Sequence, residues 1–176
     1  MHMKLKMKRL YFDGACVPVN PGGDMGLGFW IEEDGKSIYS FSKFIDHKTF
    51  PTKTSNNIAE YMALKEGLEY CISNGITELQ VFGDSKLVIE QMKGNWKIKK
   101  GLYLPFAEAT KELVGEYTKI DFEWIRRDLN TIADALSNRD IPTEIMEEAK
   151  INFSKSRRKT GRNWKTAKTK KNWYGR

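Results

Sequence analysis

Arg9-Leu-Tyr-Phe-Asp-Gly-Ala-Cys-Val-Pro-Val-Asn-Pro-Gly-Gly23 is the stretch on which the fold turns. It reads as a short apolar strand, Leu10 to Phe12, ending on a carboxylate, Asp13. Gly14, Pro18, Asn20, Pro21, Gly22 and Gly23 follow, a density of turn formers that ends strands and brings backbone close to a ligand. An Asp in that place has two readings. It serves as a turn former that bonds local N–H groups, or it is a metal-ligating or general-base carboxylate with partners elsewhere in the chain.

Outward from this stretch, Gly26 to Ile31 and Ser37 to Phe44 read as second and third strands joined through the turn Glu33-Asp-Gly-Lys. Asp46 to Ser55 is a polar loop. Asn56 or Asn57 is the expected cap of a helix that runs to about Asn74 and stops at Gly75, with Tyr61, Leu64, Leu68, Cys71 and Ile72 at helical spacing. Leu79 to Gly83 is a strand ending on Asp84, and Ser85 to Met92 is a helix. Leu104 to Tyr117 is a further helix with Pro105 in its first turn, Ile120 to Ile125 an alternating strand, and Thr131 to Ser137 a helix carrying Asp134 near its start. The order β-β-β-α-β-α-α-β-α implies an α/β fold. Its five-stranded mixed sheet has an antiparallel meander of the first three strands, then two parallel strands, and helices flank it.

The chain of 176 residues is long enough for one domain with a core. No run approaches the roughly 18 to 20 apolar residues of a membrane span, and no signal-peptide core precedes the first strand. Cys16 and Cys71 lack metal-ligand spacing, so two free thiols and a cytoplasmic, monomeric protein without membrane association are expected. The net charge of +7 conceals an asymmetry: residues 150–176 carry 11 Lys or Arg and no acid, against 19 basic and 23 acidic residues before them. A mildly acidic body suits cations, and a basic tail suits a polyanion. The expected division is a domain over 1–148 and a tail over 149–176.

Asp13, Glu60, Asp84 and Asp134 share one expected feature, a place at a strand end or in the first turn of a helix. Three of them have an ordinary structural role open: a turn for Asp13, the helix dipole for Glu60, an N-cap for Asp84. Gathered at one spot, however, four carboxylates cannot all stay ionised without cations. Two divalent ions roughly 4 Å apart relieve the repulsion, and oxygen ligands suit Mg²⁺, with Mn²⁺ as its substitute.

The motifs Tyr11-Phe-Asp-Gly-Ala-Cys with Asn20-Pro-Gly-Gly, Ser55-Asn-Asn-Ile-Ala-Glu-Tyr-Met-Ala-Leu, Phe82-Gly-Asp-Ser-Lys-Leu-Val and Arg127-Asp-Leu-Asn-Thr-Ile-Ala-Asp-Ala-Leu-Ser resemble the type 1 ribonuclease H family in order and spacing, over about residues 8 to 142. The resemblance implies hydrolysis of the RNA strand of RNA–DNA hybrids with two metal ions, leaving 3′-hydroxyl and 5′-phosphate ends. It places the family's acidic quartet on Asp13, Glu60, Asp84 and Asp134. The groups similar to those that read 2′-hydroxyls are Cys16, Asn20, Asn56 and Asn57, although the two Asn are equally good helix caps and Cys16 equally a small buried residue. Rival readings are a same-fold nuclease for double-stranded RNA or another structured nucleic acid, and a non-catalytic nucleic-acid-binding protein.

Two departures mark the chain. The loop before Asp134, Arg126-Arg-Asp-Leu-Asn, has no His and looks like the subgroup with Arg and Asn there, so Arg127 and Asn130 are expected to substitute for it in part and to bind substrate. An Arg keeps its charge and cannot shuttle protons near neutrality. His47 is expected to be a solvent-exposed spectator. The long basic protrusion of some relatives is missing after Gly94 to Lys100. The tail mixes Trp164, Trp173 and Tyr174 with its cations and is expected to contact nucleic acid.

Overall fold

The computed structural model describes residues 6–139. The expected boundary at 148/149 and the whole basic tail lie outside the described residues. The elements are β1 (Lys8–Val17), β2 (Asp24–Glu33), β3 (Lys36–Ile45), α1 (Asn56–Ser73), β4 (Glu78–Gly83), α2 (Lys86–Met92), α3 (Leu104–Val114), β5 (Lys119–Trp124) and α4 (Thr131–Ser137). The strands form one mixed sheet in the order β3-β2-β1-β4-β5. β1, β2 and β3 are antiparallel neighbours, whereas β4 pairs parallel to both β1 and β5. The expected α/β class and meander-then-parallel sheet are what the chain builds.

Strand alternation sorts the residues onto two faces. Leu10 and Phe12 of β1, Leu27, Phe29 and Ile31 of β2, and Leu79 and Val81 of β4 are buried in the core with Leu64 and Leu68 of α1. Gly14 is where α1 comes nearest the sheet: a Cβ there would lie 2.2 Å from the Ala59 carbonyl carbon and 2.3 Å from the Glu60 nitrogen. On the other face, a Cβ on Gly28 would lie 2.5 Å from the Ser137 nitrogen, so α4 rests directly on β2. Ser42 Oγ fastens that helix by donating to the Leu136 carbonyl at 2.6 Å.

Several boundaries differ from the sequence reading. β1 does not end at Asp13; it runs four residues further, because Gly14 to Val17 keep their antiparallel pairing with β2 and the turn chemistry is spent only on the connection beyond. The cap of α1 is Ser55, whose Oγ accepts from the Ile58 N–H at 3.2 Å, so Asn56 and Asn57 are the first two helical residues instead. Glu60 consequently sits past the first turn, where the helix dipole offers it little. α3 ends at Val114 rather than Tyr117, with Gly115 as its C-cap, and Pro105 does occupy its start.

Candidate active site

The site forms where the parallel half of the sheet gives out. The last pair between β1 and β4 is Phe12 with Gly83, and Asp13 is the next residue along β1. From there β1 continues without its parallel neighbour, and the chain leaves β4 through Asp84. Ser85 caps α2 by accepting from the Val88 N–H at 3.4 Å, so Asp84 is not spent as a cap. Gly14, with no side chain, lets α1 settle so that Glu60 comes beside Asp13. Carboxylate oxygens of Asp13, Glu60 and Asp84 all lie within 4.8 Å of one another.

Burial is unequal among the three. Asp13 is 5% exposed and Glu60 3%, whereas Asp84 is half-buried. Burial raises the Asp13 carboxyl to about 7, with the negative charges of Asp84 and Asp134 adding to the effect and the Ser137 hydrogen bond opposing it. Glu60 is pushed well up by burial first and then by the charges of Asp13 and Asp84. Burial also raises Asp84, against the pull of Arg127. Glu60 Oε2 is buried with no hydrogen-bond partner. A buried carboxylate oxygen without a donor, facing two more acids, fits a hard divalent cation better than any arrangement of protein groups alone.

Asp134 stands outside this trio, so the structure does not bring the whole sequence-derived quartet together at that spacing. Its Oδ1 accepts from Arg127 Nη2 at 3.0 Å, an ion pair in which Arg127 is 77% exposed. The charge of the guanidinium reaches Asp13 and Asp84 as well.

The other sequence-derived residues divide in the same way. A groove of about 420 Å³ is lined by Asp13, Glu60, Asp84, Cys16, Asn20, Asn56 and Arg127, among others. Asn20 Oδ1 accepts from the Asn56 backbone N–H at 2.9 Å, which ties the first loop to the start of α1. Asn57 is exposed and does not line the groove. The Cys16 thiol is buried and lies 3.3 Å from the Val19 carbonyl, so packing accounts for it. Asn130, expected in a substrate-facing loop, is 1% exposed and donates to the Phe12 carbonyl at 2.9 Å. His47 is exposed, as expected, and does not line the groove; its N–H and Nδ1 lie 3.0 and 2.6 Å from Asp24 Oδ1.

Sequence reasoning missed Ser137, whose Oγ donates to Asp13 Oδ2 at 2.6 Å, and Asn138, which borders the groove and donates to the Asp134 carbonyl at 2.8 Å. A signal existed in Asp134-Ala-Leu-Ser: three residues on from a suspected acid is the same helix face. A larger hollow of about 560 Å³ at the opposite end of the sheet is lined by Lys6, Arg9, Glu32 and Asp34 among others, and these four form Lys6–Asp34 and Arg9–Glu32 ion pairs of 2.7 and 3.0 Å.

Comparison with known proteins places relatives around this geometry. Residues 40–140 match a family described as reverse transcriptase-like. The bifunctional protein Rv2228c of Mycobacterium tuberculosis is 42% identical over 120 residues, covering 68% of this chain and 31% of that protein. Its N-terminal RNase H domain, solved as a fusion with maltose-binding protein, superposes with a TM-score of 0.68 at 32% identity, covering 78% of this chain and all of that one. Ribonuclease HI of Halobacterium salinarum is 30% identical over 128 residues, 73% of this chain and 61% of that protein. LC11-RNase H1, solved in complex with an RNA/DNA hybrid, gives a TM-score of 0.66 at 30% identity, with 76% and 96% covered. The chain thus spans about a third of the length of the mycobacterial relative and three-fifths of the halobacterial one.

Proposed function

This chain belongs to the type 1 ribonuclease H family, and from that premise we propose that it is a metal-dependent endoribonuclease that hydrolyses the RNA strand of RNA–DNA hybrids. The observation that carries the reading is the trio of Asp13, Glu60 and Asp84 with oxygens within 4.8 Å, two of them buried and one oxygen of Glu60 unpartnered. Acids drawn this close in a groove are costly to hold and have no structural task that explains them. The relative solved with a hybrid supports the substrate class.

Asp13 and Asp84 would hold divalent cations, with Glu60 completing the site toward the scissile ribose and Asp134 at its open side. Bound Mg²⁺ or Mn²⁺ ions supply an activated water and stabilise the leaving oxygen, which leaves 3′-hydroxyl and 5′-phosphate ends. The chain's own residues do the rest. The buried acids present a fixed negative wall. The amides of Asn20 and Asn56 border the groove, where groups that both donate and accept suit a 2′-hydroxyl. Arg127 gives the rim a cation beside the position of a backbone phosphate, and the Lys- and Arg-rich tail adds a second handle on the polyanion.

The test is cleavage of end-labelled RNA–DNA hybrid, double-stranded RNA and duplex DNA by the full chain, with Mg²⁺, Mn²⁺ or chelator, beside Asp13→Asn. Internal cuts confined to the RNA of the hybrid, lost with chelator and with Asp13→Asn, are expected. Cleavage of double-stranded RNA at a similar rate would overturn the substrate assignment. Tight hybrid binding without metal-dependent cuts would overturn the enzymatic one.

A further inference from the structure

We propose that Ser137 is a positioning residue that fixes the rotamer of Asp13 and thereby the affinity of the acid cluster for its cation. The inference rests on the metal-dependent reading above. Its basis is a single hydroxyl placed with little freedom between two of the acids. Ser137 Oγ lies 2.6 Å from Asp13 Oδ2 and 2.8 Å from the Asp134 carbonyl. One hydroxyl proton cannot serve both. The Asp134 carbonyl already accepts from the Asn138 backbone N–H at 3.1 Å and from Asn138 Nδ2 at 2.8 Å. The proton therefore goes to the carboxylate, where the hydrogen bond is charge-assisted and short.

The hydroxyl cannot follow Asp13 if the acid turns away. Ser137 is 2% exposed, and its backbone is seated on β2: a Cβ on Gly26 would lie 1.7 Å from its carbonyl oxygen. The neighbouring Leu136 carbonyl is tied to Ser42 on β3. With Oδ2 engaged from the α4 side, the Asp13 carboxylate is held so that one of its oxygens lies within 4.8 Å of those of Glu60 and Asp84. Without the hydroxyl, two like charges within 4.8 Å would favour a rotation of Asp13 away from them. Groups that hold a ligating side chain in place in this way are worth about 10- to 100-fold in metal affinity or activity.

Ser137→Ala and Ser137→Thr separate this role from plain packing. Calorimetric titration with Mn²⁺ in the absence of nucleic acid reads affinity directly, and hybrid cleavage against Mg²⁺ concentration reads the half-saturating metal and the maximal rate separately. Thermal unfolding in chelator reads the fold. Ser137→Ala is expected to weaken Mn²⁺ binding and raise the half-saturating Mg²⁺ by about tenfold. Much of the rate should return at high metal, and Ser137→Thr, which keeps the hydroxyl, should bind more tightly than Ser137→Ala. If the parent binds Mn²⁺ and cuts hybrid while Ser137→Ala matches it in both titrations, the positioning role is refuted and the nuclease reading stands. If Ser137→Ala and Ser137→Thr lose affinity and unfolding temperature alike, the role is structural and the proposal fails. A parent that neither binds Mn²⁺ nor cuts hybrid removes the nuclease reading, and this inference with it.

Discussion

Asn130 donates its side-chain amide to the backbone carbonyl of Phe12, 2.9 Å away and 118 residues earlier in the chain. The bond is buried, and it fixes β1 one residue before Asp13 to the loop that leads into α4. Replacing Asn130 by Ala would leave the Phe12 carbonyl without its donor at a site closed to water. The expected cost is about 1–3 kcal/mol, read as a lower urea midpoint at unchanged slope. A midpoint equal to that of the parent would show that the bond contributes nothing.

The raised acid pKa values give the metal-free protein an inverted pH dependence. Asp13 is raised from 3.8 to about 7 in the fold, and Glu60 and Asp84 are raised too. Between those values the folded state binds more protons than the unfolded chain, so stability falls as pH rises. In chelator, the unfolding temperature is expected to be higher at pH 5 than at pH 8, and saturating Mg²⁺ should narrow or reverse the difference. A midpoint that climbs steadily from pH 5 to pH 8 in chelator would contradict it.

Asp13→Asn should separate stability from function. The amide removes one charge from the trio while keeping the shape that Ser137 meets. With the Asp13 carboxyl raised from 3.8 to about 7, relief of about 4 kcal/mol is the order of the upper bound at pH 8 without metal. The variant is expected to unfold at a higher temperature than the parent in chelator, to gain little from Mg²⁺, and to lose cleavage. Lower stability in chelator would mean that the acids are not in conflict.

Gly28→Ala probes the seat of α4. The new methyl would meet the Ser137 nitrogen at 2.5 Å and the Ala133 carbonyl at 2.7 Å, both backbone atoms that cannot swing aside. Displacing a docked helix in this way costs about 1–3 kcal/mol or more. Because α4 carries both Ser137 and Asp134, Mn²⁺ affinity should fall together with the unfolding temperature. Parent-like values of both would show that α4 is not held at this point.

Removal of residues 150–176 takes away 11 positive charges. If this tail meets the polyanion, hybrid affinity should drop and its dependence on log salt should flatten by about 0.9 for each phosphate that the tail no longer neutralises. Turnover on short, saturating hybrid should change little. An unaltered salt slope would assign the tail some other task.

Asp13, Asp84 and Asp134 were legible because each stands beside a turn former or a helix start, and Glu60 because it interrupts an otherwise apolar stretch of α1. What joins them was less legible. Nothing local reveals that Gly14 to Val17 stay in β1, since their pairing depends on Met25 and its neighbours across the hairpin. Ser55, Asn56 and Asn57 are all good caps, and only the path of the preceding loop selects Ser55. Asp134 lies outside the trio and pairs with Arg127, seven residues earlier, a partnership with no sequence signature. The likeness of its loop to the subgroup with Arg and Asn makes Asn130 a candidate for substrate contact, yet the loop turns inward there to reach Phe12.

Gly14 carries a consequence for synthesis of the protein. Glu60 meets Asp13 only where that bare residue lets α1 down onto β1, and Asp84 joins them only after β4 has been laid alongside. A polypeptide still emerging from the ribosome therefore lacks the three assembled acids until the residues through Asp84 are out and β4 has paired with β1.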